Sequence, residues 1–462
     1  MQKATRLMLA GGFTLVFAPC QWAQEEQPAP DPGQEAAPAV EEPASTSNLI
    51  PDTRPLSGAE ELRVETTGGS RNYAIPTLRI SAFGDTNRTI LANGQRELYM
   101  TGSVVAGLDV HRVNRKNDFG LSYAGGGIAY AHNSELTAMM HQLAITERYA
   151  GRRWGITLGD QLSYLPESSF GFGGFGSSMG MGGSVGGWNP TFLPGQSLYS
   201  GGGDRIYNAA LAQVEFRASS RSTLTFGGTY GILRFKQSDL YESNSVYLSS
   251  GYNYSITRRD TLSINYGFGA IRYPNSDVNL DNHFFTVGYG RRLTGRLAFS
   301  VSGGPQLVLR RSPTFGQETT TDLYAHTSMD YQVGRSSLSW TYSHYTSNGS
   351  GLFLGAKTDY LSGSFSRRLT RNWAWSMGPG YSRNARLSEA SGSANDSVFN
   401  SIYGNTSFHR NLGRFMDLSL SYNIYRQWSN ATGTAGTNRT SSYLRHFFGV
   451  SMTWHGSRVG LD

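Results

Sequence analysis

The sequence predicts an all-β protein: a transmembrane, antiparallel, up-and-down β-barrel of about eighteen strands, with sixteen as the alternative count. Three observations predict it. From about Tyr73 onward, apolar and polar residues alternate with a period of two, as in Leu262, Ile264, Tyr266, Phe268 and Ala270 set between Thr261, Ser263, Asn265, Gly267 and Gly269. That period belongs to a strand with one greasy and one wet face, and it gives no support to helices of period 3.6. The alternating segments are joined by very short polar turns on one side and longer loops on the other, the asymmetry of a membrane barrel. Hydrophobic residues make up only 38 % of the 462-residue chain and mean hydropathy is −0.38. Yet the chain holds 57 Gly, 26 Tyr, 23 Phe and 8 Trp. Such a composition suits a sheet whose inner face is polar, and beyond the N-terminus it excludes spanning helices, which need runs of roughly 20 apolar residues.

Taken in order, the chain opens on Lys3 and Arg6 followed by the apolar run Leu7–Ala18, a pattern expected of a secretory signal peptide over residues 1–23. The only cysteine, Cys20, falls within it, so the mature chain offers neither a disulfide nor a thiolate metal site. Residues 24–72 read as an acidic, Pro- and Ala-rich periplasmic linker. From Gln24 to Leu62 the nine acids face a single base, Arg54, and the composition cannot bury a core. Ser57 and Glu60 have capping-box spacing and allow one helical turn before the barrel. The barrel is expected over residues 73–456 and a tail over 457–462.

Within the barrel the strands are expected at 76–84, 98–111, 119–131, 136–149, 154–164, 206–218, 223–235, 245–257, 261–273, 283–292, 297–310, 320–332, 337–346, 353–368, 373–384, 398–409, 416–428 and 443–454. Each short turn carries Arg, as in Ala150-Gly-Arg152, Arg258-Arg-Asp260, Val333-Gly-Arg-Ser336 and Asn411-Leu-Gly-Arg414. Leu293-Thr-Gly-Arg296 and Leu369-Thr-Arg-Asn372 share a phrase. Two to four polar residues of this kind close tight hairpins. Trp340, Trp373, Trp375, Trp428 and Trp454 lie near strand ends, where aromatic girdles form at membrane interfaces.

The last strand ends on Gly449-Val-Ser-Met-Thr-Trp454, of the form Gly-x-x-apolar-x-apolar. Gly449, Met452 and Trp454 resemble the C-terminal signal by which outer-membrane β-barrels are recognised for assembly, with Phe447 standing where a polar residue is usual. Together with the RRLT-type turns and the Asp52–Leu62 segment, the chain resembles bacterial outer-membrane barrels of the uncharacterised porin type over about Asn48–Trp454. The resemblance implies a location in the bacterial outer membrane with both termini periplasmic. It also implies contact with outer-membrane lipids and the barrel-assembly machinery, and passive diffusion of small hydrophilic solutes. A component of an envelope export system, such as polysaccharide secretion with a periplasmic partner on the N-terminal segment, is the alternative. A lipid-modifying enzyme is the second.

Chemistry-bearing patterns are few. The nine His are scattered over different strands, no Gly-x-Ser-x-Gly lies near a strand–helix turn, no metal-ligand spacing is present, and the basic residues recur at turns rather than in a cluster, so neither an enzyme, a cofactor nor nucleic-acid binding is expected. The candidates are therefore charges and a loop. Arg234, Arg272, Arg310 and Arg311 are expected at the pore mouth, and Asp109, Asp160, Asp330 and Asp359 in the lumen, since charges facing lipid are costly. The long segment Leu165–Asp204 is Gly-rich but holds Phe170, Phe172, Phe175, Met179, Met181 and Trp188. It is either a free external loop or a constriction folded into the lumen.

Overall fold

A computed structural model of the chain describes residues 72–86, 98–130, 138–167, 202–236, 240–313, 316–387, 398–429, 442–457 and 459–460. The expected signal peptide, linker and Gly-rich loop lie outside these residues.

Eighteen long strands form one antiparallel sheet: β1 (Tyr73–Asp85), β2 (Tyr99–Val113), β3 (Asn117–Tyr130), β4 (Ala138–Ala150), β5 (Trp154–Glu167), β6 (Gly202–Arg217), β7 (Ser222–Phe235), β8 (Ser243–Ser255), β9 (Asp260–Arg272), β10 (Asn279–Arg292), β11 (Leu297–Ser312), β12 (Gly316–Val333), β13 (Ser336–Ser347), β14 (Ala356–Arg368), β15 (Trp373–Arg386), β16 (Val398–Asn411), β17 (Met416–Ser429) and β18 (Ser442–His455). Each pairs with its neighbours in the chain, and β1 pairs with β18 from Thr77↔His455 to Asp85↔Phe447, so the sheet closes. Closure removes the open edges that a sheet in lipid cannot satisfy. A two-residue bridge, β19 (Val459–Gly460), returns along the start of β1. Pro76 lies inside β1 rather than at its start; it pairs with Leu108, and its carbonyl accepts from Gly456 N at 2.8 Å where β18 has ended.

Alternation decides what each face meets. Leu78, Ile80, Val104, Leu158, Phe226, Leu248, Leu323, Ile402, Met452 and Trp454 are large, apolar and exposed. Side chains of the opposite parity are buried and largely polar, among them Ser245, Asn253, Asn265, Thr286, Gln306 and Asn423, interrupted by apolar clusters such as Tyr207, Leu211 and Leu233 or Ile271, Leu280 and Val308. The second set faces the lumen: Asn348, in the loop after β13, donates Nδ2 to Ser243 Oγ on β8 at 2.9 Å, a contact between distant strands that runs through the interior. An apolar belt outside and a polar wall inside is the architecture of an outer-membrane β-barrel. Aromatic residues stud the short-turn end: Trp154 and Trp454 are exposed, and the Arg410 guanidinium lies 5.3 Å from the Trp373 ring.

The terminal strand explains one of its own glycines. Gly449 pairs with Phe83 across the closing seam, and a Cβ at this position would overlap the Phe83 ring. The Phe83 ring stacks instead on Phe447, 4.8 Å between centroids, inside a cluster with Val105, Ile128 and Met140. Met452 and Trp454 point outward into the belt.

Three connections depart from expectation. The loops after β9 and β11 are shorter than the sequence implies, because pairing continues to Asn279↔Arg272 and to Ser312↔Gly316. Gly316 reverses the latter chain with φ of 71°. Phe353 does not begin a strand: β14 starts at Ala356, and residues 348–355 turn inward.

Candidate functional site

The interior of the barrel is the candidate site. Its most distinct feature is the segment Asn348–Gly355. Gly349, Gly351 and Gly355 adopt φ of 76°, 83° and 93°, a region that residues with a Cβ rarely occupy. They let a 3₁₀ turn, Gly349–Gly351, fold back into the barrel. Besides Asn348 on Ser243, Tyr273 Oη donates to the Asn348 carbonyl at 3.1 Å and Tyr241 N to the Gly351 carbonyl at 2.9 Å. Phe353 sets its ring edge-on to Phe399 of β16 at 5.4 Å, and Leu354 packs on Ile271, Tyr273, Leu280, Val308 and Leu387. The segment thus leaves β13, crosses to the β8–β11 side, and returns to β14.

A chain of hydroxyls and an amide roots it in the wall. Ser347 Oγ receives Gly349 N at 3.3 Å and lies 2.8 Å from Thr358 Oγ1, which donates to Asn384 Oδ1 at 2.8 Å. Nearby, where β12 and β13 part above the Ala325↔His344 pair, Asp322 reaches Lys357 at 2.9 Å and His344 at 3.5 Å. These contacts hold the strands together where the ladder is interrupted. At the closing seam, Arg445 forks onto Asp85 with Nε 2.9 Å from each carboxylate oxygen, and both side chains are almost wholly buried.

The charges expected at the pore mouth or in the lumen divide by parity. Asp109, Arg310 and Asp330 are on inward positions: Asp109 accepts from Ser122 Oγ at 2.5 Å, Arg310 is buried opposite Glu318, and Asp330 stands opposite Ala298 and Ser339. Asp160 is instead outward, sharing parity with exposed Leu158 and Leu162, and Asn208 Nδ2 donates to it at 3.0 Å. Asp359 is outward too, in register with Leu361 and Met377 parity, and meets His344 at 2.6 Å and Arg383 at 3.4 Å. Arg234, Arg272 and Arg311 also face outward: Arg234 pairs with exposed Ile206, Arg272 follows the exposed face of Ile264 and Tyr266, and Arg311 that of Leu307. Adjacent Arg310 and Arg311 had to take opposite faces, because a strand has no other choice. The signal was in the sequence: each misplaced charge stands two residues from an apolar residue of the same parity, or extends such a row.

The outer face carries a level ring that sequence reading missed. Tyr123 Oη lies 3.0 Å from His141 Nδ1, Tyr266 Oη 2.9 Å from His283 Nδ1, and Tyr422 Oη 2.9 Å from His446 Nδ1. Tyr342 on Asp359, at 3.1 Å, and Asn208 on Asp160 complete it. Counted from Asn117, Trp154, Asp260, Ser336 and Met416, the residues Tyr123, Asp160, Tyr266, Tyr342 and Tyr422 are each the seventh of their strand; each partner is the tenth from the end of the next. His446, the polar exception in the last strand, is therefore one of a set. Facing lipid, such groups must satisfy each other.

No protein-family model matches the sequence, and no curated protein matches it. Among solved structures, Pseudomonas aeruginosa OccK2 (OpdF) is similar at 11 % identity and TM-score 0.43, over 83 % of this chain and 98 % of that one. The outer membrane protein OpdK of the same organism is similar at 11 % identity and TM-score 0.42, over 83 % and 99 %. Acinetobacter baumannii OccAB2 is similar at 10 % identity and TM-score 0.44, over 84 % and 100 %.

Proposed function

We propose that the chain is a porin-like channel of the bacterial outer membrane that passes small hydrophilic solutes by passive diffusion. The observation that carries this reading is a closed barrel of eighteen strands with a largely polar inner wall. Barrels of sixteen to eighteen strands enclose a water-filled lumen, whereas eight strands fill theirs with side chains. Selectivity then rests on what lines and narrows that lumen. Here that is the hydroxyl- and amide-rich wall, the inward segment Asn348–Gly355, and the inward charges Asp109, Arg310 and Asp330.

The reading includes an orientation. The Arg-bearing short turns and both termini face the periplasm, the longer loops face outward, residues 1–23 direct export, and residues 24–72 form a periplasmic linker. Gly449, Met452 and Trp454 serve recognition by the barrel-assembly machinery. Discrete conductance steps from refolded protein in planar bilayers are the expected result; a folded, protease-resistant barrel that never conducts would overturn the channel.

A further inference from the structure

The three outward arginines belong to one ordered row at the loop end of the barrel. Across six consecutive strands the outer rim reads Arg234, Asn244, Arg272, Asn279, Arg311, Gln317. Asn244 and Asn279 stand directly opposite Arg272 on either side, and Asn279 and Gln317 stand opposite Arg311. Every ascending strand in this sector brings a guanidinium and every descending strand an amide.

The row is pre-arranged. Arg272 gives Nη1 to the Ile271 and Leu280 carbonyls at 3.1 and 2.9 Å and Nη2 to Asp281 at 2.6 Å. Arg234 repeats the arrangement one hairpin away, with the Leu233 and Ser243 carbonyls at 3.0 and 3.2 Å and Asn244 Oδ1 at 2.7 Å, and Glu242 3.5 Å from its Nε. The second Asp281 oxygen lies 3.4 Å from Arg311 Nη1. The Asp281 side chain is only 11 % exposed, while Arg272 and Arg311 are 43 % and 54 % exposed. The acid lies beneath and the cations lie on top, so the surface presented to the surroundings is guanidinium. Five N–H groups per guanidinium leave donors on both arginines beyond these bonds. Arg272 and Arg311 are two strands apart, about 10 Å, with an amide between them.

Cations on the outer face are tolerated only near an interface. A row of half-exposed, oriented forks there fits phosphate oxygens better than water alone. We propose that Arg272 and Arg311, with Arg234 beside them, bind the phosphates of an anionic lipid headgroup in the leaflet surrounding the loop end. A headgroup bearing two phosphates can engage both arginines at once. The inference does not need the channel to conduct. It borrows from the proposed orientation only which leaflet supplies the lipid.

The test uses the full chain in detergent micelles, where orientation plays no part, with bound lipid counted by native mass spectrometry. Diphosphorylated lipid A is expected to bind at least about tenfold more tightly than its dephosphorylated form. Arg272→Gln with Arg311→Gln should remove that preference, while Arg258→Gln with Arg259→Gln at the opposite end should leave it intact. Asp281→Asn should tighten phosphate-dependent binding several-fold, because it frees both guanidinium groups; a row that merely clamps hairpins would show no such gain. Unchanged preference in the Arg272/Arg311 variant, or no gain in Asp281→Asn, would overturn the proposal. Displacement of the lipid by an equal concentration of inorganic phosphate would also overturn it, by assigning the row to free anions.

Discussion

Breaking the closing seam at one side chain should cost more than removing the whole ion pair. Asp85 and Arg445 join the first and last strands and are 2 % and 5 % exposed. The fork places Nε 2.9 Å from each carboxylate oxygen, and the Arg445 guanidinium lies 6.0 Å from the Phe447 ring centroid. Asp85→Leu takes the carboxylate away from a buried guanidinium, and removal of one partner of a buried pair costs about 3–5 kcal/mol. Arg445→Met takes the guanidinium away from the buried carboxylate at a similar cost. Asp85→Leu combined with Arg445→Met removes both charges, and replacement by apolar groups is often neutral or better, so the double variant should lie within about 1 kcal/mol of the parent. The double variant then recovers at least about 5 kcal/mol of the summed single losses, more than is usual for residues in direct contact. Unfolding by denaturant in micelles, followed by tryptophan fluorescence and by the gel mobility of unheated protein, measures all four forms. Single variants within about 0.5 kcal/mol of the parent, the range of ordinary surface changes, or a double variant as unstable as the sum, would refute the reasoning.

Removing residues 349–354 should raise single-channel conductance without lowering barrel stability to the level of the seam variants, since the ladder from Ser347↔Ala356 downward is untouched; unchanged conductance would show that the inward segment does not narrow the path. Gly449→Val should destabilise the seam by about 1–3 kcal/mol, an overpacking cost, because Phe83 occupies the space the side chain needs; wild-type denaturation would count against it. Asp160→Leu with Asn208→Leu should stabilise the barrel in lipid by about 1–4 kcal/mol, since the pair sits among exposed Leu158, Leu162 and Ile206; a loss of stability would mean the outer-face pair is needed for packing.

The architecture was legible because two signals agree along the whole chain. Period-two alternation marks strands, and Arg-bearing turns such as Arg258-Arg-Asp260 punctuate them, so the sequence alone yields a count of about eighteen strands. The site was less legible for two physical reasons. Asp160 and Asp359 were assigned inward on cost alone, yet parity overrides cost when a partner is at hand: Asp160 has Asn208, and Asp359 has His344 and Arg383. Reading Leu158-Gly-Asp160-Gln-Leu162 by parity would have placed Asp160 on the outer face. The inward segment was hidden for a different reason. Ser347–Gly351 has the composition of any polar hairpin loop, and nothing local distinguishes a loop that turns outward from one that folds in. The decisive contacts, Asn348 to Ser243 and Phe353 to Phe399, are long in sequence and exist only once the barrel closes. The ring of tyrosines and their partners requires the register, which local pattern does not supply.

Single-channel recording of the refolded, full-length barrel in planar bilayers, with glucose-sized polyols as partitioning probes, tests the central claim most directly. Discrete steps are expected, with a conductance that falls when polyols small enough to enter the lumen are added. A protease-resistant barrel that inserts and passes no ions would contradict it.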